Sequence, residues 1–117
     1  MIYLLLFTHW VADFIFQNDD MAKNKSKSNV WLGKHILAYM IVLSPFALYA
    51  GWRLPGEYWM LFVLINGAVH FIIDWCTSRM TSKLWAQQRV HDFFVVVGFD
   101  QLLHACTLIA TYKWLFL

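Results

Sequence analysis

At 117 residues the chain is long enough for one domain, taken here as residues 1–117, and its formal net charge of +2 is too small to argue for nucleic acid. Hydrophobic residues make up 61% of it and charged residues 14%, where an ordinary globular chain carries about 25% charged. A chain this short cannot shield so much apolar side chain from water, which excludes an ordinary soluble monomer and leaves an integral membrane protein or, as the alternative, an all-helical soluble oligomer with very apolar interfaces.

Four apolar segments follow one another: Ile2–Gln17, Trp31–Trp52, Tyr58–Cys76 and Phe93–Leu117. A spanning helix needs about 20 predominantly apolar residues. The last three meet this, and the first is short by a few residues, so the expectation is that it tilts, thins the bilayer locally or stops short of the far face. Pro45 is expected to kink the second helix without ending it. The predicted fold class is therefore all-α, a four-helix transmembrane bundle. No leader peptide is expected, because the first apolar run lacks a basic flank.

Three connections separate the segments. NDDMAKNKSKSNVWLGK holds Lys23, Lys25, Lys27 and Lys34; GWRLPGE is a tight turn; TSRMTSKLWAQQRVHD holds Arg79, Lys83 and Arg89. If all four segments span, the first and third lie on one side, and by the positive-inside rule both basic connections are cytoplasmic and both termini face outward. The third connection reads equally well as a solvated loop or as a surface helix with Met80, Leu84 and Trp85 turned inward. Trp31, Trp52, Trp59, Trp85 and Trp114 fall near span ends, as an interfacial belt should. Cys76 and Cys106 have no metal or redox spacing and read as buried small hydrophobes.

The polar residues inside these segments form a pattern. His9 and Asp13, His70 and Asp74, and Asp100 and His104 are each four apart, which places each pair on one helix face. Asn66 extends the His70–Asp74 face, and His35 opens the second helix. All of them sit at similar depth on the cytoplasmic side. An intramembrane Asp costs about 2.5–3.5 kcal/mol on an insertion scale, so these side chains should face the bundle interior and one another. His and Asp are ligands for Zn, Mn or Fe. The candidate metal set is His9, Asp13, His35, His70, Asp74, Asp100 and His104, with Asp13, Asp74 and Asp100 as candidate catalytic carboxylates. That is more than one tetrahedral ion requires. The set fits two ions, or one ion with further carboxylates orienting the imidazoles. The structural alternative is a set of buried hydrogen-bonded pairs that only fix helix packing.

Around this set, Gln17 continues the His9–Asp13 face, and Lys25, Arg79 and Lys83 lie at the cytoplasmic mouth, where a phosphate would be held. Gln101 lies about 100° round the helix from Asp100, so helical geometry alone turns it toward a neighbouring helix. Asp19, Asp20, His91 and Asp92 fall outside the spans and read as solvated.

The run HWVADFIFQNDDMAKNK, the lone His35, HFIID and FDQLLH together resemble a family of small bacterial and phage membrane proteins known as domain of unknown function 3307. The resemblance covers nearly the whole chain. It implies His9, Asp13, Gln17, Lys25, His35, His70, Asp74, Asp100, Gln101 and His104 as positions of interest, and so raises Gln101 above its helical geometry. The basic residue expected soon after the third-helix Asp has only Arg79 as its counterpart. The H-x-x-x-D motifs alone are loosely similar to predicted membrane-bound metal-dependent hydrolases.

The function expected is a metal-dependent hydrolase of the bacterial inner membrane, acting at the cytoplasmic leaflet on a phospholipid or other phosphoester lipid, with a divalent ion (Zn, Mn or Fe) as cofactor. Its partners are the bilayer and a lipid substrate, with no nucleic acid; an oligomer is compatible with the composition. The competing classes are an accessory protein whose cluster packs helices, an ion- or proton-translocating subunit and a bundle that ligates haem.

Overall fold

Long apolar stretches with few helix breakers give an all-helical chain. Helix α1 spans Ile2–Trp10 and runs into a π-helical turn, Val11–Ile15; α2 spans Asp19–Asn24, α3 Asn29–Gly51, α4 Tyr58–Ala86 and α5 Val90–Phe116. The computed structural model describes residues 1–54 and 56–117; Pro55, inside the GWRLPGE turn, lies outside the described residues.

Helices α3, α4 and α5, of 23, 29 and 27 residues, are long and apolar enough to cross a membrane, which marks an integral membrane protein. The first segment is shorter than the sequence implies. Its helix stops at Ile15, before Gln17, and at about 1.5 Å per residue its 14 residues cover roughly 21 Å, less than a hydrocarbon core of about 30 Å.

The third connection is neither a loop nor a separate surface helix. Helix α4 runs ten residues past Cys76 to Ala86, and only Gln87–Arg89 makes the turn into α5. Hydroxyls in this stretch bond back into their own helix, Thr77 Oγ1 to the Ile73 carbonyl at 2.9 Å and Thr81 Oγ1 to that of Ser78 at 3.1 Å. No Gly or Pro interrupts it. The turn comes where Gln88 adopts φ 56°, a left-handed conformation that ends a helix. Helix α5 consequently starts at Val90, ahead of Phe93.

The first connection also folds. Asn18 caps α2 by accepting from the Met21 N–H at 2.8 Å, and Ser28 caps α3 by accepting from the Val30 N–H at 3.2 Å. Helix α3 runs through Pro45. Cys76 and Cys106 are exposed on the outside of the bundle, among outward-facing apolar residues such as Leu37, Ile41, Ile72 and Leu102. Buried faces look inward, and the sulfurs are on the other side.

Helices α3–α4 and α4–α5 form two antiparallel hairpins with extensive contact, and α1 packs across α3 and α5. The molecule measures 50 × 25 × 20 Å. Its apolar core joins Leu5 of α1, Leu43 and Phe46 of α3, Phe62 and Val63 of α4, and Leu108 and Tyr112 of α5. These residues fill one end of the bundle. Asn66 belongs with them, its amide bonded to the Phe62 carbonyl and to Thr111 Oγ1, both at 2.9 Å.

The α3–α4 contact depends on Gly67, where an added Cβ would stand 2.6 Å from Met40 Sδ and 2.8 Å from its Cγ. Gly67→Ala should therefore destabilise the bundle by about 1–3 kcal/mol. Because Met40 is the group displaced, adding Met40→Ala should cost less than the sum of the two single changes. Thermal unfolding of the three variants in detergent reads this coupling.

Candidate metal centre

Next to the apolar end, the buried side chains change character. His9, Asp13, His35, His70, Asp74 and His104 are all 6% exposed or less, and Asp100 is buried beside them. The spacing of four residues in α4 and α5 turns His70 with Asp74, and Asp100 with His104, toward the axis shared by all the long helices. In the first segment Asp13 lies in the π-helical turn, where the Phe16 N–H reaches back five residues to the Val11 carbonyl at 3.1 Å. Such turns are rare and concentrate at functional sites. Asp13 Oδ2 stands 3.9 Å from His9 Nε2, while Oδ1 faces α3 and α4.

Four atoms converge on one point. His35 Nε2 lies 3.0 Å from Asp13 Oδ1, 3.2 Å from Asp74 Oδ2 and 3.2 Å from His70 Nε2. His70 Nε2 lies 3.4 Å from each of the same two carboxylate oxygens. Donor atoms held about 2.0–2.2 Å from a tetrahedral Zn²⁺ are separated by roughly 3.3–3.6 Å; these five distances fall at or just below that range, and all four donors lie within 4.8 Å of one another. Asp13 Oδ1 has no hydrogen-bond partner among the described residues despite the nearby imidazoles. His35 Nε2, at 3.0 Å, is the nearer of the two imidazole nitrogens to it. The chemistry of the set, two imidazoles and two carboxylates, fits a divalent ion.

The surrounding residues fall in a second ring. Lys25, in the connection after α2, donates to Asp74 Oδ2 at 3.1 Å, so it is bound into the centre and does not wait free at the mouth. Gln101 ties the first and last helices together. Its Nε2 donates to Asp13 Oδ2 at 2.9 Å and to Asp100 Oδ2 at 3.0 Å, and its Oε1 meets His9 Nε2 at 3.1 Å. A side chain this long bends back over its own turn, which the bare 100° offset from Asp100 conceals. Asn66 takes no part in the centre.

Two participants have no signal in the sequence. Thr77 Oγ1 lies 2.5 Å from Asp100 Oδ1, at a position that reads as the start of a loop. The Tyr39 ring packs 4.1 Å from that of His70, centre to centre. The offset of four from His35 to Tyr39 was available as a signal, but tyrosine in an apolar helix carries no expectation of a site.

Beside the centre lies a cavity of about 540 Å³, between the end of the first segment, α2, α4 and α5. Asp13, Asp100 and Gln101 line its deep side; Lys23, Lys25 and the hydroxyls of Ser78, Thr81 and Ser82 line its polar flank; Phe14, Trp85, Phe93 and Phe94 form its apolar wall. Gln17 also lines it, with Oε1 buried and unpartnered among the described residues. Arg79 and Lys83 are absent from this lining. Arg79 is held elsewhere, by the Trp75 carbonyl at 2.8 Å and Asn29 Oδ1 at 3.1 Å.

That last contact levels α4 with the start of α3. From it, Asp74 lies five residues and His35 six residues inward, about 8–9 Å along each axis. The centre therefore lies close to one end of the α3 span, with some 24 Å of α4 between Asp74 and Tyr58.

Fold and centre together define a class: a helical membrane protein with a His/Asp centre buried where its helices meet. Compared with known protein families, residues 1–117 match the one described as "Protein of unknown function (DUF3307)", and the chain belongs to that family. Searches of curated proteins and of solved structures give no match.

The geometry predicts a folding-linked metal response. Zn²⁺ or Mn²⁺ at a hundred times its dissociation constant should stabilise the purified protein by about 2.7 kcal/mol, seen as a raised unfolding midpoint in detergent. In the His35→Ala/His70→Ala double variant that rise should disappear.

Proposed function

We propose that this protein is a divalent-metal-dependent hydrolase of phosphoester lipids, embedded in the bacterial inner membrane. The observation that carries the reading is the convergence of Asp13 Oδ1, His35 Nε2, His70 Nε2 and Asp74 Oδ2 at the edge of an amphiphilic cavity. Held by these residues, a divalent ion supplies Lewis acidity and a water acidified toward neutral pH.

The chain's own groups account for the rest. Asp100, anchored by Thr77 and Gln101 and lining the cavity, takes the proton of the attacking water and returns it to the leaving alcohol as the phosphorus–oxygen bond breaks. Lys25, which lines the cavity while bonded to Asp74, turns its remaining N–H donors to the phosphate beside the hydroxyl flank, and Gln17 and Gln101 present amides to the headgroup. Phe14 and Phe94, 48% and 61% exposed, leave the apolar wall open sideways to acyl chains. A cavity of this size suits a headgroup with the first part of its chains.

In the membrane we place α3, α4 and α5 as full spans. The first segment also crosses, by thinning the bilayer around it, with both termini outside. The concentration of Lys and Arg in the two connections at the centre's end supports a cytoplasmic site. Transport is less well supported, because the opposite end of the bundle is filled largely by apolar side chains such as Leu43, Phe46, Phe62 and Leu108. Haem ligation is less well supported too, since His35 and His70 nitrogens stand only 3.2 Å apart, too close to take opposite faces of one iron.

The test is turnover of phospholipid and of prenyl- or acyl-phosphoester lipids in nanodiscs with added Mn²⁺ or Zn²⁺. Wild type should release product, and a chelator should stop it. Asp74→Asn should lower kcat at least 100-fold, whereas Lys25→Met should act mainly through KM. Lipid turnover unchanged by Asp74→Asn in a folded protein would rule out the mechanism.

A further inference from the structure

Beyond the four converging atoms, the centre has a second set of donors. Both carboxylates that enter the first set do so with one oxygen only. Asp74 gives Oδ2 to His35 and His70, and its Oδ1 lies 3.4 Å from His104 Nε2. Asp13 gives Oδ1 to the same two imidazoles, and its Oδ2 points to the other side, toward His9 and Gln101. One donor atom each from His9, Asp13 and His104 all fall within 4.8 Å of one another. Each carboxylate thus faces a histidine pair with one oxygen and at least one further histidine with the other.

His104 is the independent sign that this second position takes a ligand. It is 1% exposed, and neither ring nitrogen has a hydrogen-bond partner among the described residues. Nε2 is beside Asp74, and Nδ1 is 3.3 Å from Asp100 Oδ2. A carboxylate behind one ring nitrogen, with the other aimed inward, is how a metal-binding imidazole is oriented.

We infer that the centre is dinuclear. The first ion sits among Asp13, His35, His70 and Asp74. The second sits among His9, Asp13 and His104, with Asp13 shared between the two and Asp74 Oδ1 beside His104 at 3.4 Å. This rests on the metal reading above and deepens it. The two positions are not equivalent. The second set is wider, and there Gln101 already occupies Asp13 Oδ2 and His9 Nε2, so an ion must displace its amide. The first ion binds tightly and the second more weakly. Asp13, shared by both positions, lines the cavity together with Asp100 and Gln101, so the pair meets the cavity through that carboxylate. Two ions so placed can clamp a transferring phosphoryl group, as two-metal phosphoesterases do.

The experiment is metal stoichiometry on full-length protein, purified without chelator or His-tag and titrated with Mn²⁺, read by elemental analysis and by electron paramagnetic resonance. The expected result is about two Mn²⁺ per chain in two affinity steps, the second giving the signal of an exchange-coupled pair. His104→Ala and His9→Ala should each retain one Mn²⁺ and lose the coupled signal. One Mn²⁺ per chain in wild type, with no coupled signal at saturation, would overturn the second position and leave the first standing. No bound Mn²⁺ or Zn²⁺ at all would overturn both. The wild-type spectrum decides the matter even if the variants fail to fold.

Discussion

Everything in this structure is arranged around the difficulty of burying Asp13 and Asp74, 5% and 1% exposed, inside an apolar bundle. A carboxylate moved from water into such surroundings loses several kcal/mol of hydration even after relaxation. It stays ionised only if positive charge or donors replace the water. Here Lys25 reaches in from the connection to bond Asp74, Gln101 donates to Asp13, and four histidines crowd the remaining sides. No one helix could assemble this shell. The need to satisfy two carboxylates together fixes how α1, α3, α4 and α5 meet.

That requirement divides the bundle in two. One end is packed with Leu43, Phe46, Phe62, Leu108 and their neighbours, and gains stability from close contact of apolar side chains. The other end has polar atoms facing one another and a cavity beside them. Buried polar groups without partners are costly. Yet Asp13 Oδ1 and both nitrogens of His104 are left without partners among the described residues. These are the atoms to which the proposed ions would bind.

Local structure serves the same end. The π-helical turn places Asp13 where its two oxygens face different histidines. The continuation of α4 past Cys76 brings Thr77 under Asp100 and sets Ser78, Thr81 and Ser82 along the cavity. The Lys-rich connection is tied down by two helix caps, at Asn18 and Ser28, which is what allows Lys25 to reach a buried partner.

The sequence by itself determined the class of fold and the membership of the centre. Apolar runs and charge scarcity are properties of composition, and a spacing of four puts His and Asp on one helix face whatever the helix packs against. His9, Asp13, His35, His70, Asp74, Asp100 and His104 were all legible for that reason. Only the tertiary structure decided how far each helix runs and which partner each atom faces. The end of the first helix at Ile15 and the extension of α4 to Ala86 are set by turns closed over five residues or fewer, at Phe16 and at Gln87–Arg89, which no Gly or Pro marks in the sequence. The bond from Lys25 to Asp74 spans 49 residues and that from Gln101 to Asp13 spans 88. Long side chains can bend through tens of degrees, so helical spacing cannot say where their ends arrive. Nor does spacing tell one carboxylate oxygen from the other, and it is that division of oxygens on which the proposal of a second metal position rests.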